Sequence, residues 1–171
     1  MKHEAIVAAR RSLCLPGYAS YADVGLDGPW VTPYQIASAS PTGPVLLTYN
    51  YLDAPSAVAH RDTLLRHGYL ADMPFNRVLD LALAETGMTR GDLYVTHAFH
   101  LLPERRSAAI PAALIDLSFE LVARHELAGR RVIALGAAAS RACRRHGIDH
   151  VATPHLSARG LSFTQRASVL A

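Results

Sequence analysis

The sequence predicts an α/β fold, a three-layer α/β/α sandwich built on a four-stranded parallel sheet. Three observations lead there. Four short apolar runs, Val45–Tyr51, Leu93–Thr96, Arg131–Leu135 and His150–Thr153, read as strands buried on both faces. Helical patterns alternate with them, as crossovers between parallel strands require. The chain has 171 residues, half of them apolar, which suits a single domain spanning 1–171 with a real core. No linker or internal repeat marks a second domain.

The elements follow in order. A helix is expected around Glu4–Leu13, ahead of Pro16-Gly17-Tyr18. The segment Tyr18–Gln35 is rich in Gly, Pro, Ser and Tyr, and its aromatics predict an ordered loop packed over the sheet. Val45–Tyr51 runs into the polar turn Asp53-Ala54-Pro55-Ser56. Phe75–Thr86 reads as a helix before the strand Leu93–Thr96. Over Pro111–His125, the residues Ala113, Leu114, Leu117, Leu121 and Val122 form an apolar stripe at helical spacing. Pro111 suits the first turn of that helix, and Gly129 its stop. After Arg131–Leu135, Gly136 makes a turn into the helix Ala137–His146, which Gly147 ends. The strand His150–Thr153 leads into Pro154-His155-Leu156-Ser157-Ala158-Arg159.

Bulk properties remove several function classes. No apolar run approaches the roughly 20 residues of a membrane span. No apolar signal-peptide core precedes Arg10-Arg11-Ser12, so a cytoplasmic protein is the expectation. Cys14 and Cys143 are the only cysteines, too few for a cysteine cluster, and are read as two lone buried thiols ahead of the alternative, a single disulfide. The net charge of +3 permits contact with phosphates without requiring it. Gly136-Ala137-Ala138-Ala139 lacks the spacing of a dinucleotide or phosphate-loop fingerprint, so no cofactor is expected. His97 and His100 lack a third ligand at recognisable spacing, so no metal is expected either.

In an open parallel sheet, ligands bind beyond the carboxyl ends of the strands. The segments there are Leu52–Ser56, His97–Arg106, Gly136–Ala139 and Pro154–Arg159, and they hold most of the chemically interesting side chains. Asp53 reads either as a carboxylate that handles water or as a helix N-cap. His155 reads as a donor to a developing anion or as a residue bonded within its own loop. Glu104-Arg105-Arg106-Ser107 is a short basic loop on the same side. Phe75 is either a stacking platform or a core aromatic.

In order and spacing, these pieces resemble the uracil-DNA glycosylase superfamily from about Val45 to Arg159. Leu52-Asp53-Ala54-Pro55-Ser56 resembles the first motif, Gly-Glu-Ala-Pro-Gly in one branch and Gly-Gln-Asp-Pro-Tyr in another. Leu93-Tyr94-Val95-Thr96-His97-Ala98 is similar to the strand ending in Val-Thr-Asn-Ala. Val132–Ala139 matches the Ile-Val-Ala-Leu-Gly-Ala-Thr-Ala segment, and His155-Leu156-Ser157 resembles the His-Pro-Ser motif. The chain departs from the family in four ways. The first motif lacks both glycines and carries Asp rather than Glu. His97 stands where asparagine reads the base, Leu156 replaces the motif proline, and the cluster-holding cysteines are absent.

The resemblance implies a cluster-free, monomeric DNA glycosylase acting on uracil or a deaminated purine in base excision repair. Its alternatives are an inactive relative that binds nucleic acid or a protein, and a small-molecule hydrolase of nucleosides or their relatives on the same fold. Asp53 and His155 would be catalytic, with Phe75, His97 and Asn50 binding the base. Ser56, Arg105, Arg106, Ser157 and Arg159 would hold DNA, and Leu156 would be the apolar wedge.

Overall fold

Val45, Leu46 and Leu47 are buried in succession, so this run can lie only at the centre of a sheet covered on both sides. The computed structural model describes residues 1–106, 108–157 and 162–168. In chain order it contains α1 (His3–Ser12), β1 (Tyr18–Ala19), β2 (Val45–Asn50), α2 (Ala54–Ala59), α3 (Arg61–His67), α4 (Pro74–Thr86) and β3 (Tyr94–Phe99). There follow β4 (Leu102–Pro103), α5 (Ala112–Ser118), α6 (Arg124–Leu127), β5 (Val132–Leu135), α7 (Ala137–Arg145), β6 (Val151–Thr153) and α8 (Phe163–Ala167). The main sheet has the order β3-β2-β5-β6, with every pair parallel. β1 and β4 form a separate antiparallel pair.

Alternation along the strands divides the core. Leu46, Val95 and Leu135 face α4, whose Phe75, Val78, Leu79, Ala82 and Leu83 form a stripe at three- and four-residue spacing. Val45, Leu47, Tyr94, Val132 and Ala134 face the other way, against α5 and α7. The result is the expected three-layer sandwich. β2 connects to β3 on one side, while β5 lies on the other. The strand order therefore reverses between the carboxyl ends of β2 and β5.

The Tyr18–Gln35 segment is ordered, and Tyr21, Val24, Leu26 and Tyr34 bury their side chains in the core facing α4. Arg10 of α1 anchors it through Asp27 at 2.6 Å and the carbonyls of Gly28 and Trp30. A 3₁₀ turn over Pro33–Ile36 then carries Gln35 to Glu126, the hub of a buried network. The Glu126 carboxylate accepts bonds from Gln35 Nε2 (2.9 Å), Tyr94 OH (2.7 Å) and Thr96 Oγ1 (2.7 Å), and lies 3.2 Å from His100 Nε2. Each carboxylate oxygen is thus satisfied, which a buried acid requires. Burial and the Glu126 carboxylate beside it push the Tyr94 phenol far above its ordinary value.

The expected helix Pro111–His125 is present, but a π-helical stretch over Phe119–Ala123 separates α5 from α6. The strand expected to end at Thr96 continues to Phe99, which moves His97 from a loop into β3. β6 is not buried on both faces: it is an edge strand, and Val151 is 52% exposed. Cys14, expected to be buried, is exposed, whereas Cys143 is buried and its thiol is pushed up to about 11 by burial. Among the described residues, no helix is long and apolar enough to cross a membrane.

Candidate active site

A cleft of about 390 Å³ opens where the strand order reverses. β2 supplies Thr48, Tyr49 and Asn50, and Tyr51 and Leu52 follow. β3 contributes His97, the start of α4 Met73 and Phe75, and the turn after β5 Gly136, Ala137 and Ala138. Tyr34, Arg106, Leu135, His155 and Ser157 complete the lining. Of the sequence-predicted residues, the fold therefore brings Asn50, Phe75, His97, Arg106, His155 and Ser157 together.

His155 is held on two sides. Its Nδ1 accepts the Ser157 backbone N–H at 3.2 Å, and its ring lies 5.6 Å from that of Phe75. Burial lowers its pKa below the ordinary 6.5. A neutral imidazole whose Nδ1 is an acceptor carries its proton on Nε2. His155 thus offers the cleft an N–H donor. Gly136 makes room for it: the turn has φ +90°, and a Cβ there would stand 3.1 Å from that of His155.

His97 is 1% exposed, and both ring nitrogens are engaged. Nδ1 is 2.6 Å from Thr48 Oγ1, and Nε2 is 3.1 Å from Thr32 Oγ1. Burial, reinforced by nearby His100, drives its pKa well below the ordinary value, so the ring is neutral. The rings of Tyr34 and Tyr51 surround it at 5.7 and 5.6 Å. His97 lines the cleft, yet its polar edge is spent on the two threonines. The His100 ring turns instead to Glu126 through Nε2, and its backbone N–H donates to Ser118 Oγ.

Asp53 is the N-cap of α2, with Oδ1 accepting the Ser56 N–H at 2.7 Å. It is 7% exposed and stands one residue past Leu52 of the cleft wall, outside the lining itself. The Ser56 amide, expected to meet phosphate, is committed to that cap, and the Ser157 amide is committed to His155. Leu156, expected as a protruding wedge, is 1% exposed and packs into the core facing α4, because the loop turns its apolar side chain inward. Arg105 and Arg106 are both exposed, and Arg106 lines the cleft. Arg159 lies outside the described residues.

Sequence reasoning missed Thr48, Tyr34 and Tyr51. Thr48 sits inside an apolar run, where a single hydroxyl carries no signal until its partner is known. Tyr34 lies in the long early segment, beyond the reach of a strand-end rule. Its hydroxyl donates to Asn76 Oδ1 (3.1 Å), and that of Tyr51 donates to the Gly68 carbonyl (2.8 Å), which fixes both rings. Burial raises both phenol pKa values, so neither ring ionises in the working range. The site joins an aromatic wall, a polar strip along β2, a neutral N–H donor and one arginine at the rim. The sequence matches no protein-family model, and no curated protein is significantly similar to it.

Proposed function

We propose that the protein is a DNA glycosylase whose cleft takes up a deaminated nucleobase and hydrolyses its N-glycosidic bond, as in base excision repair. The observation that carries this reading is the neutral, amide-oriented His155 beside the Phe75 ring in a cleft of about 390 Å³. A base must leave the stack to reach such a site, and an aromatic face compensates for the stacking it loses. As the bond from C1′ to the base nitrogen breaks, its electron pair moves onto the base. The His155 Nε2–H stabilises that charge by donating to the acceptor beside the glycosidic nitrogen, O2 of a pyrimidine or N3 of a purine. Water adds to C1′ of the sugar cation and releases its proton to solvent. Asp53 supplies negative charge beside the cation, and Arg105 and Arg106 hold flanking phosphates. A monomeric, cytoplasmic enzyme acting on DNA belongs to the same proposal.

One observation favours a second reading, a protein that binds such bases without cleaving. The Asp53 carboxylate serves as a helix cap, and Arg106 is the only formally charged side chain lining the cleft among the described residues. The test is incubation with labelled single-stranded and duplex oligonucleotides containing uracil, hypoxanthine or xanthine, then alkali to cut abasic sites. Cutting at the modified position in wild type, lost in His155→Ala, is the expected result. Binding without cutting selects the second reading. Base release from free nucleosides alone contradicts action on DNA.

A further inference from the structure

His97 lines the cleft but has both ring nitrogens engaged, so some other group must meet a ligand there. Two side chains qualify by position. β2 alternates, so Thr48 and Asn50 lie on one face, and both line the cleft. Thr48 stands opposite His97 in the parallel register, which brings Oγ1 to within 2.6 Å of Nδ1. Asn50 donates through Nδ2 to the Leu52 carbonyl at 3.4 Å, which leaves Oδ1 as its acceptor.

We infer that Thr48 and Asn50 together read a lactam edge, the adjacent carbonyl and N–H that deamination creates on a nucleobase, with His97 as the residue that positions Thr48. The inference rests on the base-binding reading of the cleft. The proton arrangement is consistent throughout. With Thr32 Oγ1–H donating to Nε2 of the neutral ring, Nδ1–H donates to Thr48 Oγ1. The Thr48 proton then points at the ligand carbonyl, while Asn50 Oδ1 accepts the ligand N–H. Uracil, hypoxanthine and xanthine share that edge; cytosine and adenine, with an amino group beside a bare ring nitrogen, do not. The substrate class is therefore set by the edge rather than by ring size.

Binding of non-cleavable oligonucleotides tests this, each carrying at one position a 2′-fluoro nucleotide of hypoxanthine or of unsubstituted purine, or an abasic analogue. Wild type is expected to bind both bases more tightly than the abasic strand, and hypoxanthine about tenfold more tightly than purine, which lacks the carbonyl and N–H. Thr48→Val should bring hypoxanthine and purine to within about twofold of each other while both still exceed the abasic strand; Thr48→Ser should restore the difference. Thr48→Val leaves His97 Nδ1 without its partner, so the triple variant Thr32→Val/Thr48→Val/His97→Leu removes every polar end of the Thr32–His97–Thr48 chain. Stability should recover in the triple variant, but hypoxanthine preference should not, whereas a purely structural role would restore both. Hypoxanthine preference surviving in Thr48→Val overturns the assignment of Thr48. Wild type that binds all three strands equally overturns the base-binding reading itself.

Discussion

At Asp53 one carboxylate carries both the helix cap and the negative charge next to the cleft, and substitutions separate the two. Asparagine caps as well as aspartate, so Asp53→Asn should leave the melting temperature nearly unchanged, while Asp53→Ala costs about 1 kcal/mol. If the charge stabilises the sugar cation, single-turnover base release by Asp53→Asn falls about 10²-fold with little change in DNA binding. An unchanged rate would confine Asp53 to capping. His97 and His155 set the pH dependence of stability. Both have folded pKa values below the ordinary 6.5, so the unfolded chain takes up protons that the folded one refuses. Their contribution is complete above that value and is lost as pH falls below it, by up to about 1.4 kcal/mol per pH unit for each group. Denaturant midpoints near pH 7.5 and pH 5.5 should show the fall, and His97→Gln should reduce it. If His155 is the donor, base release should persist on mild acidification, because burial holds the ring's pKa below its ordinary value.

At the level of elements, two local arrangements keep the site in shape. Glu126 ties the helix after the π-helical stretch to β3 and to the Gln35 turn. Glu126→Gln exchanges an acceptor oxygen for an NH₂ group facing hydroxyl and imidazole partners, and should cost about 2–3 kcal/mol in the denaturant midpoint. Gly136→Ala adds a Cβ against His155 at a positive φ, and should cost about 1 kcal/mol or more. It should also slow base release if His155 is the donor. Apolar periodicity located α4, α7 and the four sheet strands to within a few residues, because those elements bury continuous stripes. It ended β3 at Thr96, since His97 and His100 look like loop residues. Their burial depends on Thr32, Thr48 and Glu126, partners remote in sequence that no local pattern contains. The short helices α2 and α3 offer too few turns for a period to register.

Across the whole molecule, the cleft follows from topology. The order β3-β2-β5-β6 places β2 and β5 side by side with their connections diverging, and the cleft opens in the gap between them. That much was legible: Asn50, Phe75, His97, Arg106, His155 and Ser157 meet there as the strand-end rule anticipates. The contribution of the early segment was not legible, because Thr32 and Tyr34 reach the site through the loop that Arg10 anchors rather than from a strand end. The inward turn of Leu156 was equally hidden, since an apolar residue in a polar loop serves a wedge or a core alike. The central claim, that this cleft holds a nucleobase, is tested most directly by the crystal structure of the protein with an oligonucleotide bearing 2′-fluoro-deoxyinosine. The base should lie against Phe75, with His155 at its glycosidic end and its carbonyl and N–H on Thr48 and Asn50. A bound strand whose inosine remains stacked with its neighbours, outside the cleft, would contradict the account.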